Sequence, residues 1–211
     1  MTADAVQVAI FARAPQAGEA KTRLIPALGP QGAARLQRQL TRRAVEMALD
    51  SGAGEVTLWC APHAGHRFFR AVRQCLRVEC RDQPDADLGR RMLHAFEAHC
   101  ARGPLVLIGT DCPALEPHDL RNAAQALRDG HDAVVVPAED GGYVLIGLRR
   151  PLPFLFEGIA WGTDSVMRAT RDRLRAHQAR WCEPKVLWDV DRPEDLERLR
   201  ALRPDLLAAP R

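Results

Sequence analysis

Short apolar runs alternate along the chain with longer stretches in which apolar residues recur at helical spacing. The apolar runs predict strands at residues 6–12, 55–61, 76–80, 105–108, 133–137, 143–148 and 185–188. The stretches between them predict helices at 29–51, 66–74, 87–101, from 117 onwards, at 163–178 and at 193–202. Because a helix follows most strands, the pattern predicts a largely parallel sheet between two layers of helices, a three-layer α/β/α fold.

Two of the predicted strands are joined too closely to be parallel. Only Ala-Glu-Asp-Gly-Gly separates the runs at 133–137 and 143–148, whereas a parallel crossover needs about a dozen residues or more. The sheet is therefore predicted to be mixed, with at least one reversed strand. In such α/β sheets ligands bind outside the carboxyl ends of the strands, so candidate site residues are sought just after each strand.

Composition narrows the class of protein. A chain of 211 residues, 46% of them hydrophobic, is interpreted as a single domain spanning 1–211. The formal charge is +3 and the basic residues are interleaved with acidic ones, which argues against nucleic acid as a partner. The six cysteines lack C-x-x-C spacing, and no apolar run reaches the length of a membrane span. With Asp4 and no basic region before the first apolar run, no signal peptide is expected, and a cytoplasmic protein with reduced thiols is predicted.

The loop after the first predicted strand has the composition of a phosphate-binding loop. It runs Ala-Pro-Gln-Ala-Gly-Glu-Ala-Lys-Thr-Arg from Ala14 to Arg23. Gly18 would let backbone amides approach an anion. Lys21, one of only two lysines in a chain rich in arginine, would supply a compact charge. The loop is not a Walker A sequence, in which lysine directly follows glycine. The alternative interpretation is a solvated turn with chance charges.

Aspartates follow two further predicted strands. Asp111 comes after the run at 105–108, and Asp189 and Asp191 follow the last run. Mg²⁺ usually takes one or two carboxylates together with phosphate oxygens, so these side chains are candidates to hold a cation beside phosphates. The structural alternatives are a turn aspartate at 111 and an N-cap at 191. For Asp189 the structural role is favoured, and for Asp191 both roles together, since one carboxylate oxygen can serve each.

Two glycine-containing segments are further candidates. Asp140 precedes Gly141, Gly142 and Tyr143, the single tyrosine of the chain. Paired glycines in a hairpin are mostly conformational, but here they would also let a ligand lie against the backbone beside a carboxylate. Gly89 falls in the first turn of a predicted helix, where it costs roughly 1 kcal/mol relative to alanine. Either a closely approaching ligand or tight helix–sheet packing would explain it.

Five segments that run in order from residue 11 to residue 196 carry a family resemblance. They are Phe-Ala-Arg-Ala-Pro-x-x-Gly-x-x-Lys-Thr-Arg-Leu, Asp-Leu-Gly-x-Arg-Met, Ile-Gly-Thr-Asp-Cys-Pro-x-Leu, Pro-Ala-x-Asp-Gly-Gly-Tyr-x-Leu-Ile-Gly-Leu and Asp-Val-Asp-x-Pro-Glu-Asp-Leu. This set resembles a small bacterial family of nucleotidyl or glycosyl transferases with the Rossmann-like glycosyltransferase-A fold, often linked to radical-SAM and selenodomain genes. The fold is also similar to that of molybdenum-cofactor and phospholactate guanylyltransferases.

The resemblance implies a nucleotide site and assigns a role to each matching residue. The residues implied to bind the nucleotide are Ala14, Gly18, Lys21, Arg23, Gln83, Gly89 and Arg90. The residues implied to meet the acceptor or sugar are Asp140, Gly141, Gly142, Tyr143 and Trp161. Asp111 and Asp191 are implied to hold Mg²⁺ or Mn²⁺, and Lys21, Asp111 and Asp140 form the implied catalytic set.

The reaction stays open between two chemistries. In nucleotidyl transfer, slightly favoured by the lysine loop and the paired carboxylates, an acceptor phosphate attacks a nucleoside triphosphate and no protein base is required. In glycosyl transfer an acceptor attacks a nucleotide sugar, and Asp140 is the candidate base. A nucleotide-binding protein without activity is a third alternative. The first loop lacks the Gly-Gly-x-Ser/Thr-x-Arg-Met-Gly form of the guanylyltransferases, so the nucleobase, the acceptor and the oligomeric state are not predicted.

Overall fold

The structure, a computed structural model, describes residues 5–208 and is built on one seven-stranded sheet. Asp4 lies outside the described residues. Across the sheet the order is β3-β2-β1-β4-β6-β5-β7. The strands are β1 Gln7–Arg13, β2 Glu55–Ala61, β3 Glu79–Asp82, β4 Leu105–Ile108, β5 Ala133–Pro137, β6 Tyr143–Leu148 and β7 Trp181–Cys182. Strand β6 is antiparallel to its neighbours β4 and β5, and the other pairings of named strands are parallel. The predicted mixed, mostly parallel sheet is confirmed.

Helices cover both faces of this sheet. They are α1 Ile25–Ser51, α2 Arg67–Leu76, α3 Leu88–His99, α4 Pro117–Arg128, α5 Val166–Ala176 and α6 Asp195–Leu202. Alternate residues of a strand point to opposite faces, and in β1 Val8 packs with α1, α2 and α4 while Ala9 packs with α3 and α5. The three-layer α/β/α architecture follows from these two cores. No helix among residues 5–208 is long and apolar enough to cross a membrane.

Helix α1 starts earlier than the sequence predicts. The expected start is Gly29, but helical structure begins at Ile25 and is interrupted at Gly29, which has a φ of 68° and a ψ of 165°. Glycine adopts this conformation without the steric cost that a side chain would bring. The short preceding turn leads directly out of the first loop and so fixes where that loop ends.

Two predicted strands differ from the structure. The run at 76–80 is shifted because α2 continues to Leu76 and Arg77 then adopts a left-handed conformation with a φ of 55°, so pairing starts at Glu79. The run at 185–188 does not form a ladder. It makes a single bridge between Leu187 and Ala138, and strand β7 lies earlier, at Trp181–Cys182.

Candidate active site

Three adjoining cavities open along the edge of the sheet where β1, β2 and β4 have their carboxyl ends. The central cavity, about 510 Å³, is lined by Phe11, Ala12, Arg13, Glu19, Lys21, Thr22, Arg23, Gln37, Ala61, Gln83, Leu88, Arg91, Gly109, Thr110, Asp111 and Asp191. The outer cavity, about 750 Å³, is lined by Arg13, Ala14, Gln16, Glu19, Ala61, Pro62, Gln83, Pro84, Asp85 and Arg91. The aromatic cavity, about 180 Å³, is lined by Phe11, Leu88, Met92, Leu107, Gly109, Asp140, Gly142, Tyr143, Val144, Trp161, Gly162, Thr163 and Val166. Shared wall residues join the outer and the aromatic cavity to the central one.

Lys21 lies at the centre of this cleft. Its Nζ lies 2.9 Å from Asp111 Oδ2 and donates a hydrogen bond of 2.5 Å to the carbonyl oxygen of Val190. The side chain of Lys21 is only 3% exposed, and its backbone is left-handed, with a φ of 50°. Such a conformation costs roughly 1 kcal/mol in a residue with a side chain. One buried ammonium therefore joins the first loop, the end of β4 and the segment around Val190.

Asp111 is held in place but remains accessible. Thr110 Oγ1 donates to Asp111 Oδ1 at 3.1 Å, and Gln37 Nε2 of α1 donates to Thr110 Oγ1 at 3.1 Å. The backbone of Val190 donates to the carbonyl oxygen of Asp111 at 2.9 Å. With a side chain 44% exposed, Asp111 presents a carboxylate to the central cavity in a fixed orientation.

Asp191 does not cap the closing helix, so that structural alternative is wrong. Its carboxylate forms an exposed ion pair with Arg23 of the first loop. The N-cap residue of α6 is Glu194, and Asp195 Oδ2 accepts from the backbone N–H of Asp191 at 2.9 Å and of Arg192 at 2.7 Å. Asp195 thereby fixes the turn that holds Asp191 at the central cavity.

Asp189 lies close enough to the carboxylates of the cleft to interact with their charges. Burial raises the pKa of Asp189 to about 7, the negative charges of Asp111, Asp140 and Asp191 add to the increase, and Lys21 opposes it. The charge of Asp189 therefore interacts with those of the cleft carboxylates, although its side chain lines none of the three cavities. Among residues 5–208 no three acidic, histidine or cysteine side chains meet closely enough to form a complete metal site. Two carboxylates completed by phosphate oxygens would be a usual arrangement for Mg²⁺.

Gln83 joins two strands at the junction of the outer and central cavities. Its Nε2 donates to the carbonyl oxygens of Trp59, at 2.8 Å, and of Ala12, at 3.4 Å. The amide nitrogen is thus used by the backbone, and the amide oxygen is the group that a ligand can reach.

Ala14 also lines the outer cavity, and its backbone N–H donates to the carbonyl oxygen of Ala61 at 2.7 Å.

The basic residue that α3 presents to the cleft is Arg91, whereas the sequence pointed to Arg90. Arg91 lines both the outer and the central cavity, while Arg90 is exposed and lines neither. Sequence reasoning also missed Arg13, which lines the same two cavities. A signal was available for Arg13, because it follows Phe11 at the strand period of two residues and so points to the same side of β1.

Three of the candidate glycines serve the backbone rather than a cavity wall. Gly18 has a φ of 88° in the turn of the first loop and lines none of the three cavities. A Cβ at Gly89 would lie 2.6 Å from Trp161 Nε1 and 2.6 Å from the carbonyl oxygen of Phe156, so tight packing explains this glycine. A Cβ at Gly141 would overlap the backbone of Asp164.

The remaining acceptor candidates meet in the aromatic cavity. Asp140, Gly142, Tyr143 and Trp161 all line it. Asp140 Oδ1 accepts from the backbone N–H of Gly142 at 2.9 Å, which fixes the carboxylate. The Tyr143 hydroxyl donates to Met92 Sδ at 3.6 Å, and burial raises the pKa of Tyr143 above its ordinary value. Tyr143 therefore contributes a neutral ring to the wall rather than a titrating group.

This chain is similar to known transferases over most of its length. It is 34% identical over 189 residues to the phosphoenolpyruvate guanylyltransferase of Rubrobacter xylanophilus, covering 86% of this chain and 88% of that protein. Its structure matches that of a putative nucleotide-diphospho-sugar transferase from Desulfovibrio desulfuricans G20 with a TM-score of 0.85 and 26% identity, covering 98% of this chain and 94% of the other. A nucleotidyl transferase from Methanothermobacter shares the fold, with a TM-score of 0.62 at 15% identity and coverage of 93% and 96%.

These similarities confirm the class of enzyme that the sequence predicts, a transferase of nucleotidyl or glycosyl groups, and the nucleotide-diphospho-sugar transferase fold. Residues 44–163 match the family described as "Uncharacterized protein conserved in bacteria (DUF2064)". That match spans more than half of the chain and includes the segments around Gly89, Asp111 and Asp140. The chain therefore belongs to the DUF2064 family.

Proposed function

We propose that this enzyme is a nucleotidyltransferase that transfers the nucleoside monophosphate unit of GTP to a small phosphorylated acceptor and releases pyrophosphate. The observation that carries the proposal is the buried ammonium of Lys21 beside the accessible carboxylate of Asp111, at the centre of the cleft. A positive charge and a cation-binding group side by side are what a triphosphate needs. The similarity to a guanylyltransferase supports the choice of nucleotidyl transfer.

The outer cavity is the proposed site of the guanosine. At about 750 Å³ it is large enough for a nucleoside, and the amide oxygen of Gln83 and the carboxylate of Asp85 line it. Both groups accept hydrogen bonds, which suits the N–H donors on the pairing edge of guanine. Arg13 and Arg91 stand where this cavity meets the central one and would face the sugar and the phosphates.

The phosphates would lie in the central cavity. An oxygen of the acceptor phosphate attacks the α-phosphorus and forms a new P–O bond, the bond to the β-phosphate oxygen breaks, and pyrophosphate leaves with that electron pair. The acceptor phosphate is already ionised at neutral pH, so the protein does not need a base. Lys21 and Arg23 offset the negative charge that gathers on the transferred and leaving groups.

Two carboxylates of the central cavity are candidates to hold a divalent cation. Asp111 and Asp191 offer carboxylate oxygens, the ligands that Mg²⁺ and Mn²⁺ prefer, and burial together with these negative charges raises the pKa of the neighbouring Asp189. We propose that Asp111 holds the cation with the help of Asp191. When bound, the ion would neutralise part of the negative charge of the phosphates.

Glycosyl transfer from a nucleotide sugar is the second candidate. It is favoured by the likeness to a putative nucleotide-diphospho-sugar transferase and by the fixed carboxylate of Asp140 in the aromatic cavity. Asp140 would then take the proton of the acceptor hydroxyl. The two reactions release different products, so one assay separates them.

The test is a panel of nucleoside triphosphates and nucleotide sugars, with small phosphate esters as acceptors, with and without Mg²⁺. We expect pyrophosphate from GTP, no release after chelation of Mg²⁺, and loss of at least about 99% of turnover in Asp111→Asn. Asp172→Asn is the matched control, because Asp172 is exposed on α5, pairs with Arg175 and lines none of the three cavities. Nucleoside diphosphate from a nucleotide sugar would favour the second candidate, and full activity of Asp111→Asn would refute the role of Asp111.

A further inference from the structure

The aromatic cavity differs chemically from the central cavity that it adjoins. The central cavity contains Arg13, Lys21, Arg23 and Arg91. The wall of the aromatic cavity, all of it within the described part of the chain, contains no lysine, arginine or histidine. Asp140 carries the negative charge of that wall, and the rest is apolar, aromatic or uncharged. Two ends of the same cleft therefore favour different ligand groups.

The tryptophan of this wall is fixed before any ligand binds. The ring of Trp161 meets Tyr143 edge to face, with centroids 6.5 Å apart and planes at 88°, and stacks on Phe156 at 6.5 Å and 24°. Gly89 leaves room for it, because a Cβ there would lie 2.6 Å from Trp161 Nε1. A partly exposed ring held in this way offers a preformed apolar surface.

The position of the aromatic cavity also suits the part of the acceptor that lies beyond its phosphate. It shares Phe11, Leu88 and Gly109 with the central cavity. Gly109 is separated from Asp111 by a single residue. A molecule whose phosphate lies at Asp111 can therefore extend past Gly109 into the aromatic cavity.

The charge of the aromatic cavity determines which chemical group of the acceptor can bind there. A second anionic group would lie beside the carboxylate of Asp140 with no basic side chain in the wall to pair with it. Asp140 is exposed, so water screens part of this repulsion, but a like charge without a basic partner is still unfavourable there. Phosphoenolpyruvate carries its carboxylate on the same carbon that bears its phosphate and has no apolar part beyond a methylene group, so it matches this cavity poorly.

We infer that the acceptor of this enzyme is a phosphate monoester whose remaining part is uncharged and apolar, and that this part binds against Trp161 in the aromatic cavity. The inference rests on the proposed nucleotidyl transfer and narrows its acceptor. A cavity of about 180 Å³ has room for one six-membered ring, since an engineered apolar cavity of about 150 Å³ binds benzene.

Phenyl phosphate and phosphoenolpyruvate are the two probes. Both are phosphate esters, but only the second carries a carboxylate. Binding of each is measured by calorimetry with GTP and Mg²⁺ absent, and turnover is measured as pyrophosphate release with both present. We expect phenyl phosphate to bind about tenfold more tightly than phosphoenolpyruvate.

Substitutions assign this preference to the cavity. Trp161→Ala should raise the KM for phenyl phosphate about tenfold without changing the KM for GTP. Trp161→Phe, which keeps an aromatic ring, should have a KM for phenyl phosphate close to that of the wild type. Asp140→Asn should shift the ratio of the two kcat/KM values towards phosphoenolpyruvate. A loss common to both acceptors cancels in that ratio.

The outcomes separate the inference from the proposed function. Equal or tighter binding of phosphoenolpyruvate, no binding of either ester, or an equal effect of Trp161→Ala on both would overturn the inference. Preferential binding of phenyl phosphate that Trp161→Ala abolishes would support it. If that preference were found but neither ester released pyrophosphate, the ligand preference of the aromatic cavity would be supported, whereas the proposed nucleotidyl transfer, and with it the acceptor role, would fail.

Discussion

Lys21 is the residue on which nucleotide binding should depend most strongly. Its buried ammonium lies at the point where the triphosphate is expected, and charge-assisted contacts with phosphate are among the stronger hydrogen bonds in proteins. Lys21→Met should weaken GTP binding by about tenfold or more, measured by calorimetry. Asp111 is 44% exposed, so water can solvate it in the variant and the fold should persist.

The chain contains its own control for this substitution. Lys185, the other lysine, pairs with Asp119 at 2.5 Å and lines none of the three cavities. Lys185→Met should leave the affinity for GTP unchanged. An equal loss in both variants would mean that net charge, rather than a contact at the cleft, controls binding.

Arg90 and Arg91 form a second matched pair. Arg91 lines the outer and central cavities, whereas Arg90 is exposed to solvent. Arg91→Ala should lower kcat/KM for GTP by about fivefold to tenfold, the loss of one charged contact, while Arg90→Ala should have no effect. If Arg90→Ala were the more damaging variant, the orientation of α3 described here would be contradicted.

The sequence could predict a site residue when its position in a loop after a strand was enough to place it at the cleft. Lys21 lies in the loop after β1 and Asp111 in the loop after β4, and the structure brings them together. The choice between Arg90 and Arg91 could not be predicted, because the rotation of α3 about its axis is set by packing on the sheet. The environment of Asp189 was missed for a related reason, since burial and neighbouring charges arise only in the folded chain.

At the scale of elements, Asp119 connects the first turn of α4 to the segment around Lys185. Asp119 is buried, its Oδ2 accepts from the backbone N–H of Glu116 at 2.9 Å in a capping box, and its Oδ1 pairs with Lys185. Asp119→Ala should lower the free energy of unfolding by about 1 to 3 kcal/mol, measured by urea denaturation. Affinity for GTP should be unchanged, and a stability equal to the wild type would contradict this role.

A second prediction at this scale concerns the packing of Trp161 on the first turn of α3. Gly89 is the residue that lets Trp161 pack against the helix. Gly89→Ala should displace the indole and raise the KM for the acceptor severalfold with little effect on the KM for GTP. A shift in tryptophan fluorescence would report the displacement, and a raised KM for GTP alone would instead support the nucleotide-binding role that the family resemblance implies for Gly89.

Elements were predictable where apolar pattern and turn residues agreed. The runs at 55–61, 105–108, 133–137 and 143–148 have the predicted bounds and the last two are antiparallel neighbours, as the short link between them required. The segment at 185–188 failed because an apolar pattern does not reveal whether a partner strand is available. There only Leu187 bridges to the sheet.

At the scale of the whole molecule, strand order explains why the site forms where it does. β1 and β4 lie side by side, yet the chain leaves β1 towards β2 and continues to β3 before it returns to β4. The connections that follow β1 and β4 therefore run towards opposite edges of the sheet and leave a crevice, which is where open α/β sheets bind ligands. The central cavity occupies this crevice, between the loop that carries Lys21 and the loop that carries Asp111.

The most direct test of this account is the calorimetric titration of GTP into the wild type and Asp111→Asn, each with and without Mg²⁺. The account predicts one GTP per chain and an affinity that Mg²⁺ strengthens by about tenfold in the wild type but not in the variant. The same affinity under all four conditions, or no binding of GTP at all, would contradict it.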